Sequence, residues 1–251
     1  ANLFFANAQL TGKWPPVDVP PPFEDEWKGL VDFTKIPAAP ISKQLGDCPK
    51  DDWGLTFDDG PTEQTGKLLD FLDTTPNTKV TFFAVGSRII AHPELVKRAI
   101  TSIGVHTWSH TPLTTQTNEQ IVAEIKWTER AIQAAGGVTP NTLRPPQGDY
   151  DDRVRAIATA LGYKIVLWDL DSFDWKIKSE PANRTPKNVL DDFNLWVNNA
   201  TATTGHISLG HDLYEETVSL VPEIVKIVTG KGFNTTTVGA PKKRTIKRFI
   251  K

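Results

Sequence analysis

Trp53-Gly54-Leu55-Thr56-Phe57-Asp58-Asp59-Gly60-Pro61 is a short apolar run that ends in two adjacent carboxylates and a turn. The Asp-Gly-Pro end has the chemistry of a strand-to-helix connection. The same pattern repeats outward from it. Short apolar runs at 53–57, 79–84, 103–106, 142–144, 164–168, 206–209 and 233–237 read as strands. Helical patterns fall between them at 63–73, 93–101, 117–135, 150–161, 186–199 and 216–229. The clearest is 117–135, where Ile121, Ile125, Ala131, Ile132 and Ala135 form an apolar stripe and Thr117 can cap the start. Alternating strands and helices predict an α/β fold with a parallel sheet, and this many units predict a (β/α) barrel, closed or incomplete.

The bulk numbers agree with one large domain. The chain has 251 residues, 39% hydrophobic and 23% charged. A net charge of −2 gives no basic field, so no nucleic-acid partner is expected. No apolar stretch approaches the ~20 residues that span a bilayer, so no transmembrane segment is expected. Residues 1–50 carry Pro15, Pro16, Pro20, Pro21, Pro22, Pro37 and Pro40, which forbid long helices. They predict an extended arm wrapped over the domain and pinned by Trp14, Phe23 and Trp27. The end, 240–251, is a basic tail with Lys242, Lys243, Arg244, Lys247, Arg248 and Lys251. It reads as a frayed, solvated terminus, or more sharply as a contact for an anionic wall polymer or membrane surface. Cys48 is the single cysteine, cannot form an internal disulfide, and reads as a small buried apolar side chain. The absence of Met and of a basic-then-apolar leader suits a chain that begins at a mature terminus. Sequons at Asn183, Asn199 and Asn234 point to a secreted glycoprotein. Oligomeric state leaves no mark, and a monomer is the expectation.

The reactive side chains follow strand ends. Asp58 and Asp59 follow the first strand, His106 and His110 the third. Arg144 closes the fourth, Asp169, Asp171 and Asp174 follow the fifth, and His211 follows the sixth. In a (β/α) barrel the loops after the strands share one face, so these positions converge on one mouth. His106 and His110 stand four residues apart with no Glu after the first, which is not the zincin helix. Two imidazoles and one carboxylate leave open positions on a divalent metal, the composition of a catalytic rather than a closed structural site. Two adjacent aspartates do not share a job easily. One can ligate the metal while the other serves as general base toward water. His211 in Leu-Gly-His-Asp could ligate or donate a proton, and Asp174 nearby favours the charged, acid role. Arg144, before Pro145-Pro146, can orient and tune the base. His92 beside Pro93 and His206 at a strand start read as structural. Trp108, Trp168 and Trp175 lie near the mouth, where sugars stack on indoles, although packing is the commoner role for any one Trp.

Five segments taken together, Thr56–Pro61, His106–His110, Arg144–Asp149, Asp171–Trp175 and Leu209–His211, resemble the polysaccharide deacetylases of carbohydrate esterase family 4. The resemblance spans roughly residues 50–235, and the wording is most similar to the fungal chitin deacetylases. It implies a distorted (β/α) barrel, which with the composition divides the chain into an N-terminal arm at 1–50, a catalytic domain at 51–239 and a basic tail at 240–251. It implies metal-dependent removal of N-acetyl groups from chitin or chito-oligosaccharides, with Zn2+, or Co2+ or another divalent ion, and a secreted, extracellular or cell-wall location. Carried over, Asp59, His106 and His110 hold the metal, Asp58 is the base and His211 the acid. Arg144 tunes Asp58 and Asp174 tunes His211. Trp175 and Leu209 wall the acetyl pocket, and the Gln147 backbone N–H helps hold the oxyanion. Three departures stand out. Position 147 is Gln where an aromatic is usual. The link from 93–101 into His106 is short. Relatives pair a Cys near position 48 with one near the C-terminus, where this chain has Ala240-Pro241. Two other readings remain open: an O-acetyl esterase on xylan or another glycan, and a glycan- or cell-wall-binding protein with a weak or inactive site.

Overall fold

The computed structural model describes residues 10–36, 48–100, 102–200 and 205–239, and the backbone of 242–243. Strands and helices alternate: β1 (Asp52–Asp58), α1 (Glu63–Thr74), β2 (Val80–Ala84), α2 (Gly86–Ile89), α3 (Pro93–Ala99), β3 (Ile103–Val105), α4 (Asn118–Gly136), β4 (Val138–Thr139), β5 (Thr142–Leu143) and α5 (Asp152–Ala160). They continue as β6 (Lys164–Ile165), β7 (Leu170–Asp171), α6 (Lys176–Ser179), α7 (Pro186–Asn199), β8 (His206–His211), α8 (Glu215–Val218), α9 (Val221–Gly230), β9 (Asn234–Thr235) and β10 (Lys242–Lys243).

One parallel sheet carries the order β6-β5-β3-β2-β1-β8-β7, with β9 on the start of β1. No ladder joins β6 to β7 among the described residues, so the expected barrel is an incomplete one, curled and open at that seam. β1 lies centrally and is buried from Trp53 to Asp58, as its near-continuous apolar run requires of a strand covered on both faces. One apolar cluster packs α4, α5 and arm residues against β3 and β5. Another packs α1, α7 and α9 against β1 and β2.

Local chemistry sets the element ends. Thr117 accepts from Gln120 N while Gln120 returns a bond to Thr117 N, a capping box that starts α4, and Gly137 at φ 71 stops it. The helix expected at 216–229 is two, α8 and α9, because Pro222 sits where the second begins. The strand expected over 164–168 ends at Ile165, and the chain re-enters the sheet as β7, which the sequence pattern did not suggest. The short link after α3 closes with Ser102 N donating to Ala99 O (3.1 Å). It still sets β3 in register with β2, Ala84 opposite Val105.

Arm residues 10–36 run over α4. Trp14 stacks on Trp108 (6.2 Å, 8°), and Trp27 meets Trp127 edge-on (5.7 Å) and Phe23 edge-on (5.9 Å). The Trp108 and Trp127 indoles donate to Pro16 O and Pro22 O (2.9 Å each), which satisfies their buried N–H groups. Residues 37–47, with Pro37 and Pro40, lie outside the described residues. Of the basic tail only 242–243 is described. It forms β10, antiparallel to β4, and at those two positions the tail is a strand and not a frayed end. Cys48 is buried, as the composition suggests.

Candidate active site

The β1–β8 ladder sets the site. Asp58, the last residue of β1, is the direct neighbour of His211, the last residue of β8. Asp58 is buried, and its Oδ1 accepts from Arg144 Nη1 at 2.8 Å. Arg144 is fully buried and fixed on every side. Nη1 also donates to Thr56 Oγ1 (2.6 Å), Nε to Val166 O (3.1 Å) and Nη2 to Leu167 O (3.2 Å). Its guanidinium lies over the Phe83 ring at 4.2 Å. Such a donor cannot swing away, so Asp58 Oδ1 is committed and Oδ2 is the oxygen left toward the mouth, 3.7 Å from His106 Nε2.

Asp59 turns off the strand at φ 79 and faces two imidazoles. His110 Nε2 is 3.1 Å and His106 Nε2 3.5 Å from Asp59 Oδ1, and the donor atoms of all three lie within 4.8 Å of one another. His106 Nδ1 sits 2.8 Å from Arg144 O and donates to it, which fixes the tautomer and leaves Nε2 as a lone-pair donor toward the cluster. Burial would raise the Asp59 carboxyl, but the two imidazoles, when protonated, would hold it well below the usual carboxylate range. Asp59 Oδ1 is buried with no hydrogen-bond partner. An ionised, buried oxygen without a donor, facing two imidazole nitrogens, fits a divalent cation.

On the other side His211 Nδ1 donates to Asp174 Oδ1 (2.6 Å), and His211 N donates to Asp174 Oδ2 (2.8 Å). Burial alone would lower the His211 pKa. The Asp174 charge and hydrogen bond, with Asp59 and Asp58 nearby, push it up to about 10. His211 is therefore an imidazolium at neutral pH, with Nε2–H free to donate.

Gln147 sits exposed at φ 58 in the turn after Arg144-Pro145-Pro146, and Leu209 is buried in β8. Trp175 stands 38% exposed just after Asp174. Trp168 packs over Gly148 and Arg144. Trp108 is fully buried under the arm, so it packs and does not face the mouth. His206 bonds Asp169 (2.7 Å), and His92 precedes α3 beside Glu94, both structural as expected. Asp171 accepts from Phe173 N (2.7 Å) and shapes the loop. Non-glycine residues with left-handed backbone gather at this face: Asp59, Thr107, His110, Gln147 and Phe173. Strain of about 1–3 kcal/mol per residue persists only where surroundings enforce it, as at functional loops.

Sequence reading passed over several supports. Arg88 Nη1 donates to Asp59 O (2.6 Å), and Thr107 Oγ1 accepts from His110 N (3.1 Å). Asp212, next to His211, is fully buried and accepts from Gly60 N (2.9 Å), and burial with Asp59 nearby pushes its carboxyl up to about 7. Glu124 is fully buried on α4, accepts from Trp108 N (2.7 Å) and Ser109 N (2.9 Å), and is raised by burial. Glu124 lies beside Ile125 within the apolar stripe of 117–135, which is the signal that could have found it.

Comparisons with known proteins agree with this geometry. Residues 46–166 match the polysaccharide deacetylase family. The chain is 38% identical to chitin deacetylase 1 of Cryptococcus neoformans over 88% of its own length and 56% of that protein. It is 32% identical to the solved peptidoglycan deacetylase PdaC from Bacillus subtilis, with TM-score 0.64 over 74% of this chain and 87% of that one. The solved chitin deacetylase from Colletotrichum lindemuthianum shares the fold, with TM-score 0.73, 24% identity and 83% of this chain and 99% of that one covered. The chain spans about half the length of the curated chitin deacetylases it matches from Cryptococcus neoformans, Amylomyces rouxii and Saccharomyces cerevisiae, 56%, 50% and 54%.

Proposed function

The chain belongs to the polysaccharide deacetylase family, and we propose that it hydrolyses the acetamide of N-acetylglucosamine units in chitin or chito-oligosaccharides, releasing acetate. One observation carries the reading: a carboxylate held by a buried arginine and an imidazolium held by a buried carboxylate stand side by side on β1 and β8, next to the Asp59–His106–His110 donor cluster.

Asp59, His106 and His110 are the proposed ligands, and Zn2+ is the proposed ion, with Co2+ able to replace it. A divalent cation bound there supplies Lewis acidity, polarising a carbonyl oxygen and making water easier to deprotonate. Asp58 takes a proton from water through Oδ2 while Arg144 keeps Oδ1 engaged. The water oxygen adds to the acetamide carbon, and the Gln147 N–H donates to the resulting oxyanion. His211 gives its Nε2 proton to the departing nitrogen, the C–N bond breaks, and acetate and a free amine leave. Asp174 keeps His211 oriented and charged throughout. Trp175 and Leu209 are assigned to the walls around the acetyl methyl.

A protonated His211 beside the base serves an amide more than an ester. An amine must be protonated to leave, whereas an alcohol leaves with less help. The exposed positions of Asn183, Asn199 and Asn234 support N-glycosylation and with it a secreted, extracellular or cell-wall enzyme. No helix among the described residues is long and apolar enough to cross a membrane. The direct test compares acetate release from chitotetraose and from acetylated xylan by zinc-loaded protein. Faster release from chitotetraose supports the N-deacetylase. Release from xylan alone would assign an esterase, and glycan binding without release from either would assign a binding protein.

A further inference from the structure

Each strained residue proposed here to carry a metal-ligand side chain has a neighbouring peptide N–H bound by a fully buried carboxylate. Asp59, at φ 79, is followed by Gly60, whose N–H donates to Asp212 Oδ1 (2.9 Å). His110, at φ 61, is preceded by Ser109, whose N–H donates to Glu124 Oε2 (2.9 Å). Both carboxylates are 0% exposed and both are richly bonded. Asp212 Oδ2 accepts from Thr65 Oγ1 (2.6 Å), and the Asp212 backbone carbonyl accepts from Thr62 Oγ1 (2.8 Å). The fit behind the first turn is close, because a Cβ at Gly60 would come within 2.2 Å of Asp212 Oδ2. Glu124 also accepts from Trp108 N (2.7 Å) and, through Oε1, from Ser109 Oγ (2.5 Å).

A buried carboxylate is expensive unless hydrogen bonds satisfy it, and an apolar side chain at either place would pack without that penalty. What the carboxylates supply is a fixed acceptor for the buried N–H groups of the two turns. Without it those amides would seek other partners, and Asp59 and His110 would relax from left-handed backbone, swinging their donor atoms apart. We propose that Glu124 and Asp212 are positioning residues that hold His110 and Asp59 in ligating geometry and thereby set metal affinity. This rests on the ligand assignment above.

The test is Zn2+ affinity of the full chain, read by competition with a chelating dye, with the visible spectrum of the Co2+ form and the melting temperature recorded alongside. Outer groups that orient metal ligands typically change affinity by about 10–100-fold. Glu124→Asp withdraws the carboxylate by one methylene while keeping its charge, and should weaken Zn2+ by about that factor and alter the Co2+ spectrum. Glu124→Gln keeps an oxygen that can accept both N–H groups, and should stay within roughly threefold of wild type. Asp212→Ala leaves the Gly60 N–H without its acceptor and should weaken Zn2+ by about tenfold. It gives an independent reading should Glu124→Asp not fold. Ile132→Val, in the buried stripe of the same helix, controls for lost stability and should leave affinity unchanged. Folded Glu124→Asp or Asp212→Ala with wild-type affinity overturns the proposal, as does affinity that merely tracks melting temperature or a wild type that binds no Zn2+. Tight Zn2+ binding without acetate release would instead reject the deacetylase reading and leave this one standing.

Discussion

Arg144 has one side chain and four hydrogen bonds, and it leaves Asp58, the proposed base, one free oxygen. Asp58→Asn should keep the Arg144 contact through its amide oxygen, retain metal, and lose roughly 10²–10⁴-fold in turnover, as steady-state acetate release will show. His106→Ala should instead lose the metal itself, visible in zinc content after gel filtration. Asp174 holds the His211 proton, so the acid stays loaded until pH approaches about 10. The alkaline limb of kcat should lie at or below that value, because a cation on Asp59 cancels one of the charges that raise His211. Asp174→Asn should move the limb toward the ordinary imidazole range near 6.5. The same linkage acts on stability. The folded pKa exceeds the unfolded one, so the contribution is complete below about 6.5 and is lost as pH rises through about 10. Urea midpoints of wild type and Asp174→Asn should therefore converge at high pH. Asp58, His106, Arg144 and His211 stand out in the sequence because each lies at the end of an apolar run. Asp212 does not stand out, and Glu124 does so only by its place among the apolar positions of its helix. Their burial depends on packing partners distant in the chain, and a lone Glu in a helix normally faces water.

At the scale of elements, the strands aim and the loops hold. β1 and β8 align the proposed base and acid by register, while the turns after β1 and β3 bring the proposed metal donors together. The arm works on the outer side, where Trp14 and Pro16 fix Trp108 inside the His106–His110 turn. Trp27 is buried between the arm and Trp127. Trp27→Ala should cost about 3 kcal/mol in the denaturant midpoint with Zn2+ affinity unchanged. Long elements were legible because periodicity and caps agree, as at Thr117 and Gly137 of α4. Two-residue ladders such as β6 and β7 are too short to carry a period, and their place is set by the sheet around them. The broken helix at 216–229 was legible in Pro222, but the apolar spacing on both sides concealed it.

At the scale of the molecule, an open, curled sheet brings side chains from 58 to 211 to one face. Alternation of strand and helix gave away the parallel sheet. The open seam between β6 and β7 was not legible, since closure is decided by pairings the local pattern does not encode. A cation that binds the folded chain alone must stabilise it, by about 2.7 kcal/mol at 100 times its Kd. Chelation should accordingly lower the melting temperature, and Zn2+ should restore it. The central claim is metal-dependent amide hydrolysis by Asp58 and His211. Acetate release from chitotetraose, measured on chelator-stripped protein before and after Zn2+ is restored, tests it most directly. The account predicts no release when stripped, full release on restoration, and none from restored Asp58→Asn. Undiminished release without metal, or from Asp58→Asn, would contradict it.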